Sequence, residues 1–141
     1  MDERPLTPEE LERIRAAFAR VPYARLLGIE LLRVERGAAT LTLNVREELT
    51  RMEGIVHGGA LASLLDTAAA FAVISTLEPG QRTVTVDLTI HYLRPATSDT
   101  RLHADARILR AGRRLVIVAI EAKDQHGDLI STATTTYVKQ G

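Results

Sequence analysis

Between His57 and Leu77 the chain carries one carboxylate, Asp66, and no other charged side chain apart from the histidine itself. The rest of the run is apolar or small. Ala60, Leu61, Ala62, Leu64, Leu65, Ala68, Ala69, Ala70, Phe71, Ala72, Val73 and Ile74 fall on every side of a 3.6-residue helix. Such a helix has to be covered over most of its surface. A carboxylate at the centre of a membrane span is costly, so the cover is read as protein. The alanines let a sheet approach the helix closely.

The flanking segments can supply that sheet. Residues 28–35 read as a strand, Arg36-Gly37 as a turn, and residues 39–45 alternate as a second strand. After the helix, Glu78-Pro79-Gly80-Gln81 is a stop, and four more strand-like segments follow over 82–93, 101–109, 113–123 and 129–138. The turns between them are short, which implies antiparallel neighbours. Ahead of all this, Thr7-Pro8-Glu9-Glu10 opens a helix with a capping box, and Pro22 is read as its end. The expected fold is therefore α+β, a curved antiparallel sheet wrapped around a long central helix, with an extra N-terminal helix. At 141 residues it is read as a single domain over 1–141, of which 1–22 is a helical extension.

Bulk properties exclude some functions. The 18 basic and 18 acidic residues cancel, which argues against broad nucleic-acid binding. The chain has no cysteine, so thiolate catalysis and disulfides are out. His57, His91, His103 and His126 lack metal-ligand spacing, and no metal is expected. The charged N-terminus has no apolar signal region, so a cytoplasmic protein with no membrane partner is expected.

Two features on the helix could carry chemistry. Burying a carboxylate without a partner costs several kcal/mol, so Asp66 is either a functional group or a structural carboxylate at a partly exposed or interfacial helix edge, bonded to backbone or to a neighbouring arginine. His57-Gly58-Gly59 stands at the helix start, where free N–H groups carry the positive end of the dipole and can hold an oxyanion. A plain glycine turn would read the same way. Gly58 and Asp66 lie eight residues apart, ~12 Å along a helix. One reacting carbon cannot touch both within a single helix, so joint action requires a two-fold dimer with two symmetric sites. Asp87 is a second acid, for which a structural role is favoured. Arg110-Ala111-Gly112-Arg113-Arg114 is either a phosphate-binding cluster or a solvated hairpin tip.

In order and spacing, several segments together resemble the hotdog-fold thioesterases, in particular the PaaI-like (phenylacetic-acid-degradation) branch, over about residues 23–138. They are His57-Gly58-Gly59-x6-Asp66 on the Ala/Leu-rich helix, Leu27-Gly28-Ile29, Thr85-Val86-Asp87, Tyr92-Leu93-Arg94-Pro95-Ala96, Gly112-Arg113-Arg114-Leu115-Val116 and Gly127-Asp128-Leu129-Ile130. The resemblance implies an acyl-CoA thioesterase that needs no cofactor beyond the CoA of its substrate and works as a homodimer, commonly a homotetramer. It implies Asp66 as catalytic carboxylate, general base or nucleophile, and the Gly58 N–H as the group that polarises the thioester carbonyl. Gly59 then shapes the turn, His57 orients it or touches substrate, and Thr85 helps place water. Arg94, Arg113 and Arg114 become candidates for the CoA phosphates. Many members of the branch carry Asn six residues before the histidine, where this chain has Arg51. Arg51 could donate to the carbonyl, grip a substrate carboxylate, obstruct the site, or pair with Glu53. The alternatives to hydrolysis are a non-hydrolytic acyl-CoA-binding hotdog protein, which Arg51 favours, and an enoyl-thioester hydratase, for which no catalytic His/acid pair stands out. The acyl tunnel is expected around Tyr23, Leu26, Met52, Leu65 and Phe71.

Overall fold

A computed structural model describes residues 2–141. Helix α1 (Pro8–Ala19) opens with the expected capping box. Thr7 Oγ1 accepts from the Glu10 N–H at 3.1 Å, and a Glu10 carboxylate oxygen accepts from the Thr7 N–H at 3.0 Å. The chain departs from expectation at Pro22. That proline does not merely end a helix. It takes the first position of a second short helix, α2 (Pro22–Leu27), where its fixed φ fits and its missing N–H costs nothing. Gly28, at φ 81°, then closes α2 in the left-handed conformation that glycine adopts without strain. The first strand accordingly starts two residues later than expected.

Strands β1 (Glu30–Glu35) and β2 (Ala38–Asn44) form a hairpin, followed by a polar loop and helix α3 (Gly58–Ile74). Strands β3 (Arg82–Tyr92), β4 (Arg101–Ala111), β5 (Leu115–Lys123) and β6 (Leu129–Gln140) complete a single six-stranded sheet in the order β1-β2-β4-β5-β6-β3, antiparallel throughout. This is the hotdog fold. The sheet wraps α3, and the inward residues Leu41, Leu102, Ala104, Val116 and Val118 meet Leu64, Leu65, Ala68 and Ala72, all with no accessible surface. Among the described residues no helix is long and apolar enough to cross a membrane.

The sheet leaves one stripe of α3 uncovered. Ala62, Ser63, Asp66, Thr67, Ala70 and Ile74 are half-exposed, and they recur at the helical spacing of one face. The same side of the molecule presents β3 as a free sheet edge, with Val84 46% and Val86 57% exposed.

A polar latch holds α1 to this body. Arg36, in the β1–β2 turn, donates to both carboxylate oxygens of Glu10 at 2.9 and 3.1 Å and to the Arg4 carbonyl at 2.7 Å. The Thr7 backbone N–H and then the Arg36 guanidinium hold the Glu10 carboxyl below its ordinary range. A carboxylate lowered in the folded state contributes stability that is present above its unfolded pKa and fades as pH falls through the folded value. The melting temperature should therefore drop less between pH 7 and pH 3 in Glu10→Gln than in the parent. An identical acid dependence of the two proteins would remove this latch from the account.

Candidate active site

The loop that leads into α3 is pinned on both sides. The His57 N–H donates to the Leu49 carbonyl at 2.8 Å, and the Val56 N–H donates to the Ala96 carbonyl at 2.7 Å. His57 is the residue that caps α3. Its Nδ1 accepts from the Gly59 N–H at 2.8 Å, which assigns the proton of the neutral ring to Nε2. Gly59 permits this approach, because a Cβ there would meet Nδ1 at 3.0 Å. The Ala60 and Leu61 N–H groups both donate to the His57 carbonyl. Of the first-turn amides, only the Gly58 N–H is left without an acceptor among the described residues. It lies at the positive end of the helix dipole.

Around Gly58 lies an open groove of about 500 Å³, lined by Arg51, Ile55, Leu61, Tyr92 and Arg94 among others. Tyr92 reaches over the helix start, its hydroxyl donating to the Gly58 carbonyl at 2.9 Å. Its ring sits 3.4 Å from where a Gly58 Cβ would stand. In the sequence Tyr92 stands out only as part of a motif; its place over the helix start, 34 residues away, depends on the fold. The Arg51 side chain is exposed, and among the described residues it forms no ion pair with Glu53 or any other acid. Arg94 stands 3.5 Å from Asp128, both exposed.

Two turns along α3, Asp66 is half-exposed and has no cationic partner among the described residues, so the ion-pair reading of this carboxylate is set aside. Two hydroxyls hold it instead. Thr85 Oγ1 donates to Asp66 Oδ1 at 2.9 Å, and the Tyr137 hydroxyl donates to the same oxygen at 2.5 Å. Tyr137 is 2% exposed. Burial, and then its bond to Asp66, push its ionisation well above the ordinary phenol range, so it remains a donor. Sequence reasoning missed Tyr137.

A β-bulge aims Thr85. The pairing of β3 with β6 skips Val86, so Thr85 faces Tyr137 on the inner side while Asp87 faces Thr136 on the outer side. Without the extra residue, Thr85 and Asp87 would share one face. The Thr135 hydroxyl steadies the bulge by donating to the Asp87 carbonyl at 2.6 Å. The Asp87 side chain is turned away from Asp66.

Other candidates fall elsewhere. Arg113 and Arg114 stand at the β4–β5 turn, beside Leu115, which pairs with Val138, whereas Tyr92 pairs with Ser131 at the other end of β6. Seven residues of strand, roughly 23 Å, separate the two ends. Within one chain these arginines are thus at the Asp66 end and not with Arg51 and Arg94. Of the expected tunnel residues, Leu65 (0%) and Phe71 (3%) belong to the core, where Phe71 meets Phe18 edge-on with ring centroids 5.2 Å apart. Phe71 is thus covered by α1, and Leu65 by the body of the protein. Tyr23, Leu26 and Met52 are exposed, and the Tyr23 hydroxyl lies 2.9 Å from Ser63 Oγ on the open stripe. Among the described residues no cluster of three or more His, Asp or Glu side chains is placed to hold a metal ion.

Comparison with known proteins supplies a family for this geometry. Residues 53–131 match the family model described as the thioesterase superfamily. A medium/long-chain acyl-CoA thioesterase of Salmonella typhimurium is 31% identical over 133 residues, covering 84% of this chain and 85% of its own length. Human acyl-coenzyme A thioesterase 13 is 31% identical, covering 96% and 92%. Among solved structures, the Escherichia coli PaaI protein from the phenylacetic acid degradation operon superposes with a TM-score of 0.88 at 27% identity, covering 94% of both chains.

The capping role of His57 is directly testable. Replacing it with alanine should cost ~0.5–2 kcal/mol of stability, the range for loss of a side-chain cap, and asparagine should recover most of that. A chemical-denaturation series in which alanine and asparagine are equivalent would contradict the role.

Proposed function

The chain belongs to the thioesterase superfamily and is a thioester hydrolase; we propose that it cleaves an acyl- or aryl-acyl-CoA to free acid and CoA in a site shared between two copies. The observation that carries the proposal is the disposition of groups on α3. Among the described residues, a carboxylate without a cation and an amide without an acceptor lie on one helix, too far apart to serve one carbon. In a two-fold dimer each would meet its complement from the partner.

The free edge supports that dimer. β3 is an eleven-residue outer strand with exposed valines, the kind of edge that pairs with a second strand unless it is covered. Pairing β3 with its partner copy would bring the open stripe of α3 against that copy. Each site would then have Asp66 and Thr85 from one chain and Gly58 from the other. Arg113 and Arg114 of the first chain and Arg51 and Arg94 of the second would flank it, as cations for the CoA phosphates.

In the proposed reaction the thioester carbonyl accepts a hydrogen bond from the Gly58 N–H, which strengthens as the oxygen becomes negative. Asp66 either takes a proton from an attacking water or attacks the carbonyl carbon itself, with water later cleaving the acyl-enzyme. In both routes a C–O bond forms, the C–S bond breaks, and CoA leaves as a thiolate that takes up a proton. The chemistry requires no cofactor. The acyl-CoA activity named for the Salmonella and human relatives supports the substrate class.

A second reading, an acyl-CoA binder that does not hydrolyse, is favoured by Arg51 alone. Arg51 lines the Gly58 groove, where its guanidinium could clamp a ligand. Thermal stabilisation by acyl-CoA with no thiol release would establish it.

Complementation between two inactive variants tests the shared site. Gly58→Pro removes the N–H at a helix position whose backbone accommodates proline, although its ring also comes against Tyr92, and should lower kcat by about 10²-fold or more. Asp66→Ala should abolish turnover. Random re-association of the two variants should restore about a quarter of the parent activity, because half the dimers are mixed and each mixed dimer has one intact site of two. No recovery in demonstrably mixed dimers would mean that the two groups do not act across subunits.

A further inference from the structure

We infer that Tyr137 is a positioning residue for this reaction: together with Thr85 it fixes Oδ1 of Asp66 and leaves Oδ2 as the oxygen that acts on water or on the thioester carbon. The inference rests on the hydrolytic reading above.

The geometry is specific. Tyr137 stands on β6, inward-facing, directly across from Thr85 on β3. Its hydroxyl lies 2.5 Å from Asp66 Oδ1 and 2.7 Å from the Asp66 main-chain oxygen. A phenol has one proton, and a charged acceptor makes the stronger bond, so the proton goes to the carboxylate. Thr85 Oγ1 donates to the same oxygen at 2.9 Å. Among the described residues, nothing donates to Oδ2. The carboxylate is thus bonded on one oxygen only, from two directions, which fixes its rotation about the Cβ–Cγ bond.

The supports differ in rigidity. Tyr137 is in the middle of a sheet, its strand paired on both sides, by β5 and by β3. Thr85 is on the free edge and exposed. The buried tyrosine sets where the carboxylate sits before a second copy or a substrate arrives. A purely structural tyrosine at this depth would be satisfied by the backbone carbonyl alone. The shorter contact is to the carboxylate.

Tyr137→Phe tests the assignment, because the ring is kept and only the hydroxyl is lost. The expected result on an acyl-CoA that the parent hydrolyses is a fall in kcat of about 10- to 100-fold, the loss associated with one hydrogen bond to a charged group. KM should stay within about threefold, since the tyrosine touches the carboxylate and not the substrate. Thr85→Val, on the exposed edge, should act in the same direction. Combined, the two should reduce kcat by less than the product of the single effects, because both support one oxygen. If Tyr137→Phe does not fold, Thr85→Val carries the same kcat-against-KM test. Asp66→Asn is run in parallel. If Asp66→Asn keeps parent activity, the hydrolytic reading fails. If Asp66→Asn is inactive but Tyr137→Phe retains kcat, raises KM alone or only lowers the melting temperature, the positioning role is overturned while the hydrolytic reading stands.

Discussion

Covering an apolar helix that still holds a carboxylate is the constraint from which this structure follows. α3 has too few polar residues to face water and one group, Asp66, that cannot be buried bare. The sheet resolves the first demand by wrapping the helix, and small residues such as Ala68 and Ala72 let Leu41, Val116 and Val118 close on it with no accessible surface left on any of them. The second demand is met at the end of the wrap, where β6 and β3 bring Tyr137 and Thr85 to the carboxylate. Two hydroxyls compensate part of the desolvation without neutralising the charge, as an arginine would, so the group keeps a free oxygen for chemistry.

The same arrangement leaves the molecule unfinished on one side. The sheet stops at β3, and the small-residue stripe of α3 stays half-exposed beside it. In the proposed reaction the Gly58 amide and the Asp66 carboxylate act on one carbonyl from eight residues apart on one helix, which only a second copy seated on the open side would reconcile. The bulge at Val86 matters here because it separates two jobs on adjacent positions: Thr85 turns in to the carboxylate and Asp87 turns out. The histidine at the helix start uses its ring to satisfy Gly59, which leaves the Gly58 amide as the one available to a ligand.

Much of this was legible in the chain. The all-round apolar helix with its solitary Asp66, the strand sequence and the capping box at Thr7 and Glu10 are local patterns, and each is found in the fold. The separation of Gly58 and Asp66 along one helix followed from helical rise alone. What was not legible depended on contacts distant in sequence. Pro22 is compatible with both a stop and a start, and the turn closed by Gly28 decides between them. Tyr137 looks like one inward position of a threonine-rich strand, and only the pairing of β6 with β3 places it 71 residues back, on Asp66. Arg113, Arg114 and Arg94 read as one basic group, yet the register of β5 and β6 sets them at opposite ends of the sheet. Leu65 and Phe71 were expected near the acyl tunnel, and hydrophobicity alone does not say which side of a helix is covered by the rest of the fold.

The most direct measurement is release of CoA thiol from a panel of acyl-CoAs, short to long and aliphatic to aromatic, by the parent protein and by Asp66→Ala. Turnover of at least one member by the parent and none by the variant is expected, with the acyl preference naming the substrate class. Turnover by the variant at the parent rate, or acyl-CoA that stabilises the parent without ever releasing thiol, would contradict the proposed reaction.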